Sequence, residues 1–142
     1  MKGALTMLDR FLDAQRGDYA AALAEVRRGR KTSHWMWYIF PQIAGLGQSS
    51  TARYYSIRDL EEAREYYAHP VLGQRLREIS GALLALRGSD PVAVFGGIDS
   101  TKLKSSMTLF SLAAPDDPVF QQVLDKYYGG EQDALTLRIL GF

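Results

Sequence analysis

The sequence contains no cysteine among its 142 residues, and this excludes disulfides, thiolate zinc sites, iron–sulfur clusters and cysteine nucleophiles. It contains only two histidines, His34 and His69, so a histidine-rich metal centre is not expected. The longest uninterrupted apolar run, residues 35–41, is far shorter than a membrane span. Asp9 and Asp13 lie inside the amphipathic N-terminal segment, which argues against a secretion signal. We therefore expect a cytoplasmic protein with no metal, no cofactor and no membrane segment.

An excess of charge of one sign is also lacking, since 17 basic and 16 acidic residues leave a net charge of +1. Proteins dedicated to duplex DNA are normally strongly basic, so duplex DNA is not an expected partner.

Diagnostic motifs are missing as well: there is no P-loop, no G-x-S-x-G, no H-E-x-x-H and no zinc-deaminase spacing. Gly45 and Gly47 form only G-L-G with no strand before it, which does not predict a dinucleotide loop.

Strand patterns are scarce, whereas helical patterns recur along the whole chain. The one strand-like run, residues 92–95, is too short to build a sheet by itself. Helical spacing is clearest in the series Leu72, Leu76, Ile79, Leu83 and Leu86. Asp or Ser precedes most periodic segments, and Gly or Pro follows them. We predict an all-α fold: one compact globular domain, residues 1–142, of seven to nine helices, several of them short, with no substantial β-sheet.

The same cap and breaker residues predict where individual helices begin and end. We expect Gly17 to end the first helix, Asp18 to cap a second over residues 19–28, and Gly29 to follow it. In the middle of the chain we expect a helix at 34–40 capped by Ser33, a turn at 51–55 capped by Ser49 or Ser50, and a helix from Ser56 to about Tyr67. A further helix is expected to start at Pro70, followed by a turn at 91–95. The last three expected helices are 100–113 capped by Asp99, Val119–Tyr128 after Asp117, and Ala134–Leu140 capped by Asp133.

Residues 27–42, RRGRKTSHWMWYIFPQ, place both tryptophans directly after a basic turn. Large rings must be mostly buried in a small domain, yet their N–H and O–H groups need polar partners. An aromatic floor with a polar fringe and a cationic rim suits an anionic or ring-containing ligand. The candidate ligand-binding residues are His34, Trp35, Trp37, Tyr38 and Gln42. His34 is also the candidate catalytic residue, as a general base beside Tyr38. The alternative is a set of core aromatics next to a solvated basic turn.

A second candidate stretch is DSTKLKSS, residues 99–106. Lys102, Ser105 and Ser106 are three and four positions apart, so they share a helical face. Ser100 and Thr101 lie in the expected first turn, where backbone N–H groups attract anions. We predict that Lys102, Ser105 and Ser106 bind the anionic part of a ligand and face the same hollow as the tryptophan stretch. The alternative is a surface helix whose small residues allow close packing.

Three functional hypotheses follow from these stretches. The first is a binding pocket for a small anionic or nucleotide- or ADP-ribose-like ligand, with metal-free hydrolysis of that ligand left open. The second is a non-catalytic module that binds a protein or RNA through residues 27–31 and exposed tyrosines, which occur as the pairs 54–55, 66–67 and 127–128. The third is that all the aromatics are core and the function lies elsewhere. The oligomeric state stays open.

The segments GRKTSHWMWYIFPQ, GLGQSSTARYYSI, YAHPVLGQRL and LKSSMTLF, in this order, resemble a family of small bacterial proteins known as domain-of-unknown-function family 1810. The resemblance covers about residues 5–142 and implies an all-helical fold, with no established activity and no catalytic residues. Some members carry a calpastatin label, but a disordered protease inhibitor would not have this apolar core.

A weaker similarity links HPVLGQRLREISGALLA and VFGGIDSTKLKSSM to bacterial ADP-ribose-glycan hydrolases of the NADAR type. This similarity implies a small, helical, metal-free domain. The sequence departs from that pattern, because Phe95 and Gly96 stand where those proteins have a tryptophan–glycine element, and no catalytic glutamate can be placed.

Overall fold

The computed structural model describes residues 2–142, with side chains from Leu8 onward, and these residues form nine helices. The helices are α1 (Lys2–Arg27), α2 (Met36–Ile39), α3 (Ser50–Tyr54), α4 (Leu60–Ala68), α5 (Leu72–Ala85), α6 (Pro91–Phe95), α7 (Gly97–Ala113), α8 (Val119–Tyr128) and α9 (Ala134–Leu140). The predicted all-α fold is confirmed. In residues 2–142 the only β-type pairing is an isolated bridge between Ile43 and Ile57. None of these helices combines the length and apolar character needed to cross a membrane.

Helix α7 lies at the centre of the fold and packs against α4, α6, α8 and α9. Residues 105–110 of this helix are buried on every side, including the hydroxyl-bearing Ser106 and Thr108. A helix buried all round has to present small or apolar side chains on every face. The N-terminal end of α7 is different, because Gly97 and Ile98 are exposed there. The lysine–serine stretch therefore runs from the surface into the core.

Helix α1 is continuous through Gly17, so the predicted break between two helices is wrong. The buried side chains before and after this glycine keep to one helical face: Phe11, Gln15, Ala22 and Val26. Burial of that face outweighs the roughly 1 kcal/mol that glycine costs inside a helix. Asp18 consequently caps no helix, and its carboxylate accepts a hydrogen bond from the Tyr38 hydroxyl.

Two further predicted helix starts are wrong because the expected capping side chains are used elsewhere. Helix α2 begins only at Met36, without a side-chain cap, and the Ser33 hydroxyl donates to Glu25 instead. Helix α7 begins at Gly97, which puts Asp99 inside the first turn and leaves its carboxylate available to lysines. The earlier start of α7 matters more for the candidate site than the later start of α2.

Around α4, α5 and α6 the chain departs from the predicted pattern in smaller ways. Asp59, not Ser56, caps α4 by accepting a hydrogen bond from the Glu62 backbone N–H. Helix α5 starts at Leu72, two residues after Pro70, and its first turn donates to the imidazole of His69. The expected turn at 91–95 is the short helix α6. The predicted caps at Ser49 and Asp133 and the left-handed conformation of Gly29 are confirmed.

Candidate functional site

A buried carboxylate, Glu25, fixes the loop that follows α1. Its Oε1 accepts hydrogen bonds from the backbone N–H groups of Thr32 and Ser33, at 2.7 and 3.0 Å. The same oxygen accepts the indole N–H of Trp35 at 3.0 Å, and Oε2 accepts the Ser33 hydroxyl at 2.7 Å. Four donors on one carboxylate determine the path of the loop and therefore the position of Trp37, which follows it.

The hydrogen bonds to Glu25 also decide its charge. Burial disfavours the carboxylate form and would raise the pKa of Glu25, but the hydrogen bonds from Ser33, Thr32 and Trp35 outweigh burial. They lower the pKa of Glu25 from 4.5 to about 2. The loop is therefore held by an ionised carboxylate at neutral pH.

Trp35 lies in the packed interior. Trp35 is only 1% exposed, and the centroid of its ring lies 6.3 Å from the ring centroids of both Phe40 and Phe95. The ammonium of Lys31 lies 5.1 Å from the centre of the Trp35 ring. Its N–H donates to Glu25, so Trp35 is part of the core beneath the surface.

Trp37, two residues on, lines a hollow of about 370 Å³ between the loop and the start of α7. We call it the Trp37 hollow; its walls include Lys31, His34, Trp37, Phe95, Ile98 and Asp99. Most of this lining is aromatic or aliphatic, and the polar groups are few. Such a lining is typical of small-molecule sites, in which a few polar groups orient a mainly apolar contact surface.

A second hollow, of about 240 Å³, lies beside the second turn of α7 and the cap of α9. We call it the Ser105 hollow; its walls include Gln42, Leu46, Thr101, Lys102, Ser105 and Asp133. The structure thus brings Gln42, from the end of the tryptophan stretch, next to two of the residues predicted from the 99–106 segment. Its lining is richer in hydroxyl, amide and charged groups than that of the Trp37 hollow.

The two hollows meet where Lys102 lies over Trp37. The Lys102 ammonium is 5.0 Å from the centroid of the Trp37 ring, a cation–π contact. Trp37 and Gln42 also line one narrow crevice, which therefore shares one wall residue with each hollow. His34 and Lys102 therefore line adjoining hollows, and the expected single shared hollow is divided by this contact.

Asp99 joins the same junction from the first turn of α7. Its Oδ2 lies 2.9 Å from the ammonium of Lys31, and its Oδ1 lies 3.6 Å from that of Lys102. One carboxylate thus bridges two lysines, each of which also contacts a tryptophan ring. Two ammonium groups and one carboxylate leave this junction with an excess of positive charge.

Two other predicted ligand residues point into the core. Tyr38 is buried, and its hydroxyl donates to Asp18 while lying 3.3 Å from the backbone oxygen of His34. Burial and the hydrogen bond to Asp18 raise the pKa of Tyr38 well above its usual range. The hydroxyl of Ser106 is fully buried and has no hydrogen-bond partner in the described part of the chain. Neither residue lines either hollow.

Residues 5–140 match the model of a family described as "Protein of unknown function (DUF1810)". The chain belongs to the DUF1810 family. A solved structure, the conserved hypothetical protein Rv1873 from Mycobacterium tuberculosis, is 44% identical, with a TM-score of 0.93, and the match covers 95% of this chain and 96% of that one. No curated protein matches the chain.

In this DUF1810 protein, sequence reasoning missed the residues that complete the junction. The sequence places Lys31 in a basic turn that is either a cationic rim of the site or a solvated surface, but its side chain is only 8% exposed and pairs with Asp99. Asp99 was assigned to a helix cap, and Phe95 to a turn. Gly96 and Gly97, which follow Phe95, could have indicated this edge of the Trp37 hollow, because glycine lets the backbone come close to a ligand.

In this DUF1810 chain, fewer side chains of the basic turn and of the tyrosine pairs are exposed than the sequence suggested. Arg27, Arg28 and Arg30 are exposed, whereas Lys31 is not. Of the six paired tyrosines, only Tyr54 is exposed. Among the side chains from Leu8 onward, no group of three His, Asp or Glu residues is placed to hold a metal ion.

Proposed function

We propose that this protein binds a small, anionic, ring-containing ligand of the nucleotide or ADP-ribose type where the Trp37 hollow and the Ser105 hollow meet. One observation carries the proposal: the Lys102 ammonium lies over the face of Trp37, and each residue lines a different hollow. An aromatic face can stack a heterocycle, and an adjacent ammonium can bind an anionic group of the same ligand.

The size and lining of the two hollows support a small ligand over a macromolecule. The Trp37 hollow, at about 370 Å³, lies within the range typical of ligand pockets. The contact surface we propose comprises His34, Trp37, Gln42, Lys102 and Ser105 from the predicted set, with Lys31 and Asp99 added. Trp35, Tyr38 and Ser106 support this surface from within the core.

Metal-free hydrolysis of such a ligand stays a prediction, with His34 as its candidate proton acceptor. The nearby carboxylates are committed to other groups, since Asp99 pairs with two lysines and Asp133 accepts hydrogen bonds from Ser105 and Thr136. His34, by contrast, is exposed at the rim of the Trp37 hollow. A His34→Gln variant that still binds ligand but loses turnover would identify it as the catalytic base.

A thermal-shift panel of nucleotides and sugar phosphates tests the proposal, with Lys102→Met and Lys104→Met as a matched pair. Methionine is one atom shorter than lysine, so it keeps most of the unbranched side chain over Trp37 and removes the charge. We expect ligands that raise the melting temperature of the wild type to bind about tenfold or more weakly to Lys102→Met, because a hydrogen bond to a charged group is lost. Lys104 contacts Glu131 and Tyr128 instead, so Lys104→Met should bind normally.

The panel has two results that contradict the proposal. One is that no nucleotide or sugar phosphate shifts the melting temperature at millimolar concentration. The other is that Lys102→Met and Lys104→Met lose the same affinity, which would place the ligand elsewhere.

The second hypothesis, a protein- or RNA-binding module, stays a prediction that rests on exposed Arg27, Arg28 and Arg30. It requires that Arg28→Glu abolish binding of a single-stranded RNA.

A further inference from the structure

The two hollows differ in how tightly the lysine in each one is paired with a carboxylate. In the Trp37 hollow, the side chain of Lys31 is 8% exposed and its ammonium lies 2.9 Å from Asp99, so the two charges largely offset each other. The remaining walls are mainly rings and aliphatic side chains, among them Trp37, Phe95 and Ile98. An anionic group placed here would lie close to the carboxylate of Asp99, and like charges repel each other.

In the Ser105 hollow, the lysine is paired less tightly. The side chain of Lys102 is 22% exposed, and its ammonium lies 3.6 Å from Asp99, an ion pair that is too long for a direct hydrogen bond. The carboxylate of this hollow, on Asp133, caps α9 and directs Oδ2 toward the Ser105 hydroxyl and toward the N–H and hydroxyl of Thr136. The Gln42 amide adds N–H donors to the same wall. An ammonium that has no direct hydrogen bond to Asp99, beside an amide donor, suits a phosphate or carboxylate.

We infer that the ligand is a nucleoside phosphate bound in one orientation, with its neutral ring in the Trp37 hollow and its anionic group in the Ser105 hollow. Asp99 keeps the anion out of the Trp37 hollow, and the Lys31–Asp99 pair presents one donor and one acceptor to the edge of the ring. This inference rests on the proposed function and adds the orientation, the ligand class and the role of Asp99 as a specificity-determining residue.

Two substitutions separate the two hollows. Gly97 lines the Trp37 hollow, has no positive φ, and a Cβ added there would meet nothing within 4 Å, so Gly97→Trp should fill the hollow without a backbone clash. Gly88 is equally open and lies at neither hollow, which makes Gly88→Trp its matched control. Lys102→Met and Lys104→Met form the second pair. Circular dichroism checks folding, and Gly97→Leu replaces Gly97→Trp if the larger side chain prevents it.

The experiment is a calorimetric titration of the full chain with adenosine, inorganic phosphate and adenosine 5′-monophosphate. We expect Gly97→Trp to abolish adenosine binding and leave phosphate binding unchanged. Lys102→Met should weaken phosphate binding about tenfold or more and spare adenosine. Both variants should weaken the monophosphate, and both controls should behave as the wild type.

Loss of both partial ligands in either variant, or the reverse pattern of losses, would overturn the assignment of ring and anion while leaving the proposed function intact. Absence of binding by the wild type to all three probes would instead contradict the proposed function, and the orientation with it. The two failures are therefore distinguishable in one data set.

Discussion

Replacing Glu25 with alanine is expected to lower the free energy of unfolding by about 3 kcal/mol or more, because several buried or half-buried donors lose their acceptor at once. The indole N–H of Trp35 is buried and cannot turn to water, whereas the N–H groups of Thr32 and Ser33 are half-buried and can be partly solvated. Urea denaturation measures the change. The same variant should lose ligand binding, since this loop positions Trp37.

The matched control is Glu25→Gln, which keeps a carbonyl oxygen for the three N–H donors, removes the charge and replaces Oε2, the acceptor of the Ser33 hydroxyl, with an N–H donor that the same hydroxyl can accept. We expect it to cost about 1–2 kcal/mol, because hydrogen bonds to a charged acceptor are stronger than those to a neutral one. Since folding lowers the pKa of Glu25 from 4.5 to about 2, the stability it contributes is complete above pH 4.5 and is lost as the pH falls toward 2. The advantage of wild type over Glu25→Gln should shrink across that interval; a pH-independent difference would contradict this account.

Gly73→Ala is expected to destabilise the protein by about 3 kcal/mol, the upper part of the range seen when a tightly packed position is overfilled. Gly73 lies in the first turn of α5, and a Cβ there would be 1.8 Å from the backbone oxygen of Tyr67. The obstacle is backbone, so α4 and α5 would have to move apart. Thermal unfolding of the variant measures the loss.

Gly81 provides a control within the same helix. A Cβ at Gly81 would meet nothing within 4 Å, so Gly81→Ala should stabilise the protein by about 0.5–1 kcal/mol through the higher helix propensity of alanine. The two glycine-to-alanine changes in α5 are thus expected to have opposite signs. Equal effects at both positions would show that α4 and α5 are not packed as described.

The sequence was most informative where a local signal and the apolar pattern agreed. Helices α8 and α9 begin and end as predicted because an aspartate precedes each, a glycine follows each, and apolar residues keep helical spacing between them. At Gly17 the two kinds of signal disagreed, and the buried face of α1 outweighed the glycine. A single breaker residue is therefore a weak predictor inside a long amphipathic segment.

The candidate site could be predicted only in part. Composition indicated that residues 27–42 and 99–106 were of interest, and the structure brings Trp37 and Lys102 into contact. No local rule could tell which of two tryptophans, two positions apart, would face the core. That choice depends on Glu25, which holds the N–H of Trp35. The pairing of Lys31 with Asp99 likewise depends on tertiary structure, because the two residues come from opposite halves of the chain.

The most direct test of the proposed site uses the fact that the protein has only two tryptophans. Each gives one indole N–H signal in a nitrogen–proton NMR spectrum, and Trp37→Phe assigns them. On titration with adenosine 5′-monophosphate, the Trp37 signal should shift saturably, while the Trp35 signal, held in the core by Glu25, stays in place. An unmoved Trp37 signal at saturating ligand, or a shift confined to Trp35, would contradict the account.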